Sequence, residues 1–406
     1  MGIKTGTGVV RSLIVFAGLL AVTFIGSKTL FKQDRSRSPM AYLLFSGTAF
    51  LLMGIFISPN GLDLIPVSVL KQLRPLVYFG LGWVGFLYGF QLEWRYLRRI
   101  PSAWYITATG LFLLPAMGLL AGAWGVAVGL QHIQLISPDW ILPLSGIAAI
   151  LLAESCTAFV FWANRRYRFS GRHYRLACFV AAIDNFFPIS CAALLFLFFP
   201  LKTMGLSPIP ALMVEAMMGV AAGHVLHYLV RRVSDPLDVS TILFGAVFTL
   251  SGAAYLFHFS PLFVAMMAGL TFTNRTRRHS WFQQRLTPVE KPLYLMFMIV
   301  LPLYGFESGW APLAAAIVLV TIKYLTKRMT LFATRRLHQA PGDFSRRGAF
   351  LLLPMSGIGP ALLLEIRERF PAEWIGWASA ILIFALLLGD WAGAAGVYQA
   401  ARKKAK

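Results

Sequence analysis

Asp184 stands in the middle of an apolar run, 176–190, and is the one charged side chain between Arg175 and Lys202. A carboxylate at bilayer depth costs several kcal/mol unless it is paired or faces water, so it marks ion or proton chemistry by default. Asn185 adds an amide at the same depth. Lys323 is the second anchor, inside the apolar run 310–332. It precedes the basic cluster that marks the inner face by about nine residues, roughly 13 Å along a helix. That is too deep for easy snorkelling, and a buried ammonium wants a buried carboxylate, which makes Asp184 the natural partner. A lysine reaching the inner headgroups from a short span is the competing reading.

Glu154 lies at a depth similar to Asp184 and interrupts another apolar run together with Ser155, Cys156 and Thr157. It reads either as a second titratable carboxylate or as an acceptor for the broken backbone around it. The hydroxyls of Ser155, Thr157 and Ser356, with free carbonyls beside them, could coordinate a small dehydrated cation. Asp390, Glu215 and the pair His224/His227 are weaker candidates. The two histidines share a helix face, but no third ligand stands nearby in sequence, so no metal site is assigned. Cys156, Cys178 and Cys191 all fall in apolar runs, without metal or disulfide spacing, and read as small packing residues.

The elements that would hold these residues are helices across a bilayer. Hydrophobic residues make up 58% of the 406-residue chain and charged ones only 13%, about half the charged share of an ordinary soluble domain. Apolar runs of roughly 20 residues, the length that crosses a bilayer as a helix, recur from end to end. Thirteen can be placed, at 10–31, 41–58, 74–92, 103–129, 140–163, 176–200, 207–230, 239–257, 259–273, 290–307, 310–332, 348–366 and 373–398. The fold class is therefore an all-α polytopic membrane protein, a single membrane domain over 1–406 with no soluble domain.

The net charge of +21 could suggest nucleic acid, but its distribution does not. With the N-terminus outside, only seven of the 37 Lys and Arg fall in outer segments: Lys4, Arg11, Lys71, Arg74, Lys202, Arg367 and Arg369. Apart from Lys323, the rest gather in inner loops, as in 165–175 and 275–285. This is the positive-inside asymmetry, which places the C-terminus in the cytoplasm. Anionic inner-leaflet lipid is the natural partner of that charge; nucleic acid is not. The first run lacks a clear cleavage site before Lys28 and is taken as a mature helix. No nucleophile elbow, phosphate loop or helix-borne metal motif appears, so the chain does not read as an enzyme, and no cofactor is implied.

The runs fall into two halves around the single helix 207–230. Each half ends in a smooth helix, an interrupted helix and a helix with a central Asp. The interrupted members are 140–163, broken at Glu154, and 348–366, broken by Pro354, Gly357, Gly359 and Pro360. Freed backbone groups in mid-span are tolerated only against protein or a wet cavity. An even number of spans in each half inverts one relative to the other, and inverted repeats with paired broken helices point to a secondary transporter. The expectation is that Ser155–Thr157 and Ser356–Gly359 are non-helical and that the two helices cross close to Asp184.

Ala181 and Ala182 followed by Ile183, Asp184 and Asn185 resemble the Ala-x-Ile-Asp-Asp motif of the cation:proton antiporter superfamily, especially its monovalent cation:proton antiporter-2 branch with the Kef-type members. The likeness runs along nearly the whole chain. Gly54 to Pro59 resembles that family's Gly-x-x-x-Gly-Pro turn, and Gly80 to Glu93 with Arg95, Arg98 and Arg99 its third helix. Ser155, Cys156, Thr157 and Ala158 resemble its unwound Ser-Ser-Thr-Ala, Glu290, Lys291 and Pro292 the opening of its tenth helix, and Lys323 its eleventh-helix lysine. The resemblance implies a sodium/proton-antiporter-like fold in which 103–200 and 310–398 form the ion-translocating core. Helices in 1–92 and 207–307 would form a dimerisation scaffold, and the protein would be a homodimer in a bacterial inner membrane. It further implies exchange of Na⁺ or K⁺ for protons by an elevator motion, with cation and proton competing for the second Asp while the first pairs with the lysine. Here the second position is Asn185, so Asp184, paired with Lys323, is the expected carrier carboxylate. Two alternatives stand beside this: a transporter of the same fold for another solute such as an organic anion, and a non-transporting membrane component or sensor. Kef-type relatives often carry a cytoplasmic nucleotide-binding domain, so regulation of that kind would need a separate soluble subunit.

Overall fold

The computed structural model describes residues 46–402 except 59–60, 63–69, 71, 73, 133, 168–171, 199–206, 234, 277–278, 307–308, 339–343 and 368–371, together with 17–18, 21–23 and 25. The span expected over 10–31 lies almost entirely outside the described residues, as do the first residues of 41–58. Among the described residues every regular element is helical. In chain order the helices are α1 (Thr48–Ile57), α2 (Arg74–Phe90), α3 (Ser102–His132), α4 (Ile141–Ala153), α5 (Thr157–Tyr167), α6 (Arg172–Asp184), α7 (Phe186–Phe198), α8 (Pro208–Arg231), α9 (Pro236–Leu256), α10 (Pro261–Arg275), α11 (His279–Leu303), α12 (Trp310–Thr334), α13 (Phe344–Leu351), α14 (Ile358–Arg367) and α15 (Ala372–Arg402). Among the described residues eight helical segments, with α4–α5 and α6–α7 each counted as one, are long and apolar enough to cross a membrane. The protein is multi-pass; the structure does not fix the count at thirteen.

The chain divides into two compact units. One comprises 1–29, 61–99 and 189–297, the other 30–60, 100–188 and 298–406. The first is built on close helix crossings. Gly85 and Gly89 of α2 lie against the backbone carbonyls of Leu262 and Met266 on α10, and Gly269 of α10 lies against that of Phe86. A Cβ at any of the three would collide with backbone, so glycine is what lets the two helices approach. In lipid, where apolar area alone does not drive helices together, such small-residue seams supply the packing. Phe86, Phe90, Phe272 and Phe282 fill the space beside it.

The second unit holds the candidate site. α3 packs on α4 and α12, and α15 packs on α12 and α13. Gly118 and Gly122 of α3 admit Thr326 and Ile322 of α12, and Gly393 of α15 admits the ring of Pro354. Two helical paths are interrupted. α4 stops at Ala153, where Glu154 turns extended (φ −63°, ψ 167°), and α5 starts at Thr157. α13 stops at Leu351, because Pro354 cannot continue a helix and biases the residue before it away from helical geometry. α14 then starts at Ile358, capped by the Ser356 hydroxyl, which accepts from the Ile358 amide at 3.1 Å. The unwound stretches are thus 154–156 and 352–357. The expected limits shift slightly, since Thr157, Ile358 and Gly359 already belong to the helices that follow. The stretches meet directly: the Cys156 amide donates to the Pro354 carbonyl at 2.9 Å. The path carrying Asp184 is interrupted too, with a single turn residue, Asn185, between α6 and α7.

Candidate ion-binding site

An unwound helix exposes two charged ends. The carbonyls at the C-terminus of α4 carry partial negative charge, and the amides at the N-terminus of α14 partial positive charge. Both ends are buried inside the protein, and one charged side chain answers each. The Glu154 carboxylate sits over the start of α14. Its Oε1 accepts from the Ser356 and Gly359 amides, each at 3.1 Å, and its Oε2 from the Ser356 hydroxyl at 2.7 Å. The Lys327 ammonium sits at the end of α4 and donates to the Glu154 carbonyl at 3.3 Å. Of the two readings of Glu154, the geometry gives the acceptor for broken backbone, and that backbone belongs to the opposite half of the repeat.

Glu154 should therefore govern stability. Glu154→Ala would leave two buried amide donors and one hydroxyl without acceptors, at about 1–3 kcal/mol for each orphaned group. Glu154→Gln keeps an acceptor oxygen and should lose far less. Thermal unfolding of the purified variants in detergent checks this, and equal losses in the two would refute it.

Asp184, fully buried, lies beside this crossing. Its Oδ2 accepts from the Ser155 hydroxyl at 2.6 Å and pairs with Lys327 Nζ at 3.4 Å. Lys327 also donates to Ser155 Oγ. The ion pair expected of Lys323 is thus made by Lys327, one turn later on the same helix face. Lys323 is buried as well, at 1% exposure, yet among the described residues its Nζ has no hydrogen-bond partner. It does not snorkel to headgroups either. Lys327 was not singled out from the sequence. The signal that could have found it is the i, i+4 spacing from Lys323, which puts both lysines on one stripe of α12.

Asn185 donates from Nδ2 to Thr157 Oγ1 at 3.3 Å, and Thr157 in turn donates to the Ala181 carbonyl at 3.0 Å. Thr157 therefore braces the interrupted path that carries Asp184. Among the described residues Asp184 Oδ1 and Asn185 Oδ1 are both buried and unpartnered. They are two unpartnered acceptors on consecutive residues. Ser356 is committed to Glu154 and to the cap of α14. Asp390 accepts a hydrogen bond from Ser46 and stands within electrostatic reach of Lys323. Sequence reasoning had left it a minor candidate, and Ser46 was not singled out.

An all-helical, multi-pass chain whose two broken helices meet beside a buried carboxylate and ammonium has the architecture of a secondary ion transporter. The chain belongs to the sodium/hydrogen exchanger, transmembrane family, whose pattern matches residues 35–389. Its fold is similar to that of the sodium proton antiporter MjNhaP1 from Methanocaldococcus jannaschii. The structure at pH 8 superposes with a TM-score of 0.69 at 16% identity, covering 97% of this chain and 99% of that one. An electron-microscopy structure of the same antiporter gives a TM-score of 0.61 at 15% identity, covering 94% and 96%. Among curated proteins no sequence matches. The family is one of transporters rather than enzymes, and membership supports cation–proton exchange as the activity class.

Proposed function

We propose that the protein exchanges Na⁺ or K⁺ for protons across a bacterial inner membrane, with Asp184 as the carboxylate for which cation and proton compete. The observation that carries this reading is the pair of buried oxygens, Asp184 Oδ1 and Asn185 Oδ1, that have no hydrogen-bond partner among the described residues. Leaving a buried acceptor unpaired costs about 1–3 kcal/mol, and a dehydrated monovalent cation that takes ligands in place of its water would satisfy both. A proton on Asp184 would satisfy one of them in the other half of the cycle. Lys327 holds the carboxylate in place and balances its charge when the cation has left. In this reading Ser155 and Thr157 orient the two ligands, and Glu154 with Ser356 keeps the crossing intact.

The core would be formed by 103–200 and 310–398, moving as an elevator against the helices of 1–92 and 207–307, through which two copies would dimerise. Loop charge supports an outer N-terminus and a cytoplasmic C-terminus. Dissipation of a pH gradient in proteoliposomes, titrated with Na⁺, K⁺ and Li⁺, tests the reading. A saturable response to at least one of them is expected. A properly inserted protein that answers to none would leave the two alternatives, a transporter of another solute and the non-transporting sensor, for both of which the Asn at 185 is the argument.

A further inference from the structure

On the stripe of α12 that holds Lys327, Lys323 is one turn closer to the start of the helix, and its ammonium is buried without a hydrogen-bond partner among the described residues. A buried charged donor left unmade is expensive, so such a group normally has a water or ligand in reach. The charged groups that reach it are Lys327 on its own helix, Glu154 at the end of α4, Asp184 on α6 and Asp390 on α15. α3, which also packs on α12, contains no Asp, Glu, Lys or Arg. α13, whose Phe350 ring lies 4.7 Å from that of Tyr324, carries Arg346 and Arg347. Two of the three carboxylates have other duties: Glu154 is committed to α14, and Asp184 gives Oδ2 to Ser155 and Lys327, leaving only the Oδ1 assigned above to the cation.

Asp390 is different. It is 3% exposed, accepts from Ser46, and its Oδ1 is unpartnered among the described residues. Ser46 in turn shares a 2.7 Å hydrogen bond with Thr48, which ties Asp390 to the start of α1. An orphaned donor and an orphaned acceptor, mutually in electrostatic reach but not in direct contact, call for a small molecule that accepts from one and donates to the other. Water has that chemistry.

We propose that Lys323 and Asp390 bracket a hydrated proton-binding site, separate from the ion site at Asp184. Asp390 takes up a proton from a hydronium ion at Oδ1, leaving water and a neutral carboxyl, and returns it by the reverse step; the Lys323 ammonium balances the carboxylate when the proton is absent. No covalent bond between heavy atoms changes. As a station on the proton's path through the exchanger the site rests on the function proposed above; as a titrating pair it does not.

Infrared difference spectroscopy of the purified protein in D₂O, across a pH series, reads the carboxyl stretch of buried acids directly. The expected result is one titrating component that disappears in Asp390→Asn and survives in Asp184→Asn. In Lys323→Met the same component should persist to higher pH, because the positive charge that favours its carboxylate is gone. If Asp390→Asn does not fold, the shift in Lys323→Met decides. A spectrum in which no component depends on Asp390, or in which Lys323→Met moves nothing, overturns the proposal. Exchange in proteoliposomes separates the two readings: the Asp390 component in a protein that moves no cation sinks the transport function and leaves the proton site standing. Cation exchange without that component does the reverse.

Discussion

Asp184→Asn is expected to reduce cation-driven proton flux in proteoliposomes to the level of protein-free vesicles. The substitution keeps the shape of the side chain and an oxygen for Ser155, so the crossing of the broken helices should survive. What it removes is the one group in the Asp184–Asn185 pair that can bind a proton in one half-cycle and a cation in the other. An amide holds neither charge, and alternating occupancy by H⁺ and Na⁺ or K⁺ has no remaining basis there. The reciprocal variant, Asn185→Asp, puts a second carboxylate next to the first. Two like charges that close cannot both stay ionised easily, so one of them holds its proton more tightly. Flux in Asn185→Asp should accordingly depend more steeply on pH than in the natural chain, and cation binding should strengthen. If the natural chain moves no cation and Asn185→Asp does, antiport has been lost and the sensor reading takes over. If neither substitution changes a measurable flux, Asp184 is structural and the site lies elsewhere.

The helical, membrane-spanning character was legible because apolar runs of bilayer length are a composition signal that needs no tertiary information. The second break was legible for a similarly local reason, since Pro354 and Gly357 act on the backbone whatever surrounds them. The first break was harder. Glu154, Ser155 and Cys156 contain no obligatory helix breaker, and the stretch unwinds where Cys156 bonds to Pro354, a contact some 200 residues away in sequence. The same distance hid the role of Glu154, whose acceptor groups answer amides at the start of α14. The lysine assignment went astray for a geometric reason. In the sequence Lys327 adjoins Arg328 and draws no notice beside Lys323, the lysine to which the family resemblance points. Its neighbour Arg328 points elsewhere around the helix, while Lys327 is fully buried on the Lys323 stripe. Depth along a helix was estimated from the sequence, but the direction in which a side chain leaves the helix depends on its partners.

The two lysines of α12 should differ in sign when each is replaced by Met. Lys327→Met deletes the ammonium that pairs with Asp184, bonds Ser155 and covers the Glu154 carbonyl at the end of α4. Removing one member of a buried ion pair leaves the other uncompensated, at about 3–5 kcal/mol, and here a helix terminus is uncovered at the same time. Purified Lys327→Met should therefore unfold at a clearly lower temperature than the natural protein in the same detergent. Lys323→Met deletes an ammonium whose Nζ has no protein hydrogen-bond partner among the described residues. Asp390 can take up a proton in its place, and a well-packed apolar chain of similar length there is neutral or stabilising. Its unfolding temperature should equal or exceed that of the natural protein. The double variant Asp184→Asn with Lys327→Met supplies the control, because neutralising both partners should recover most of what Lys327→Met loses. Strictly additive losses in that cycle would mean that Lys327 and Asp184 act independently. A large loss from Lys323→Met would mean that its ammonium is held directly, and the division of labour between the two lysines would then be wrong.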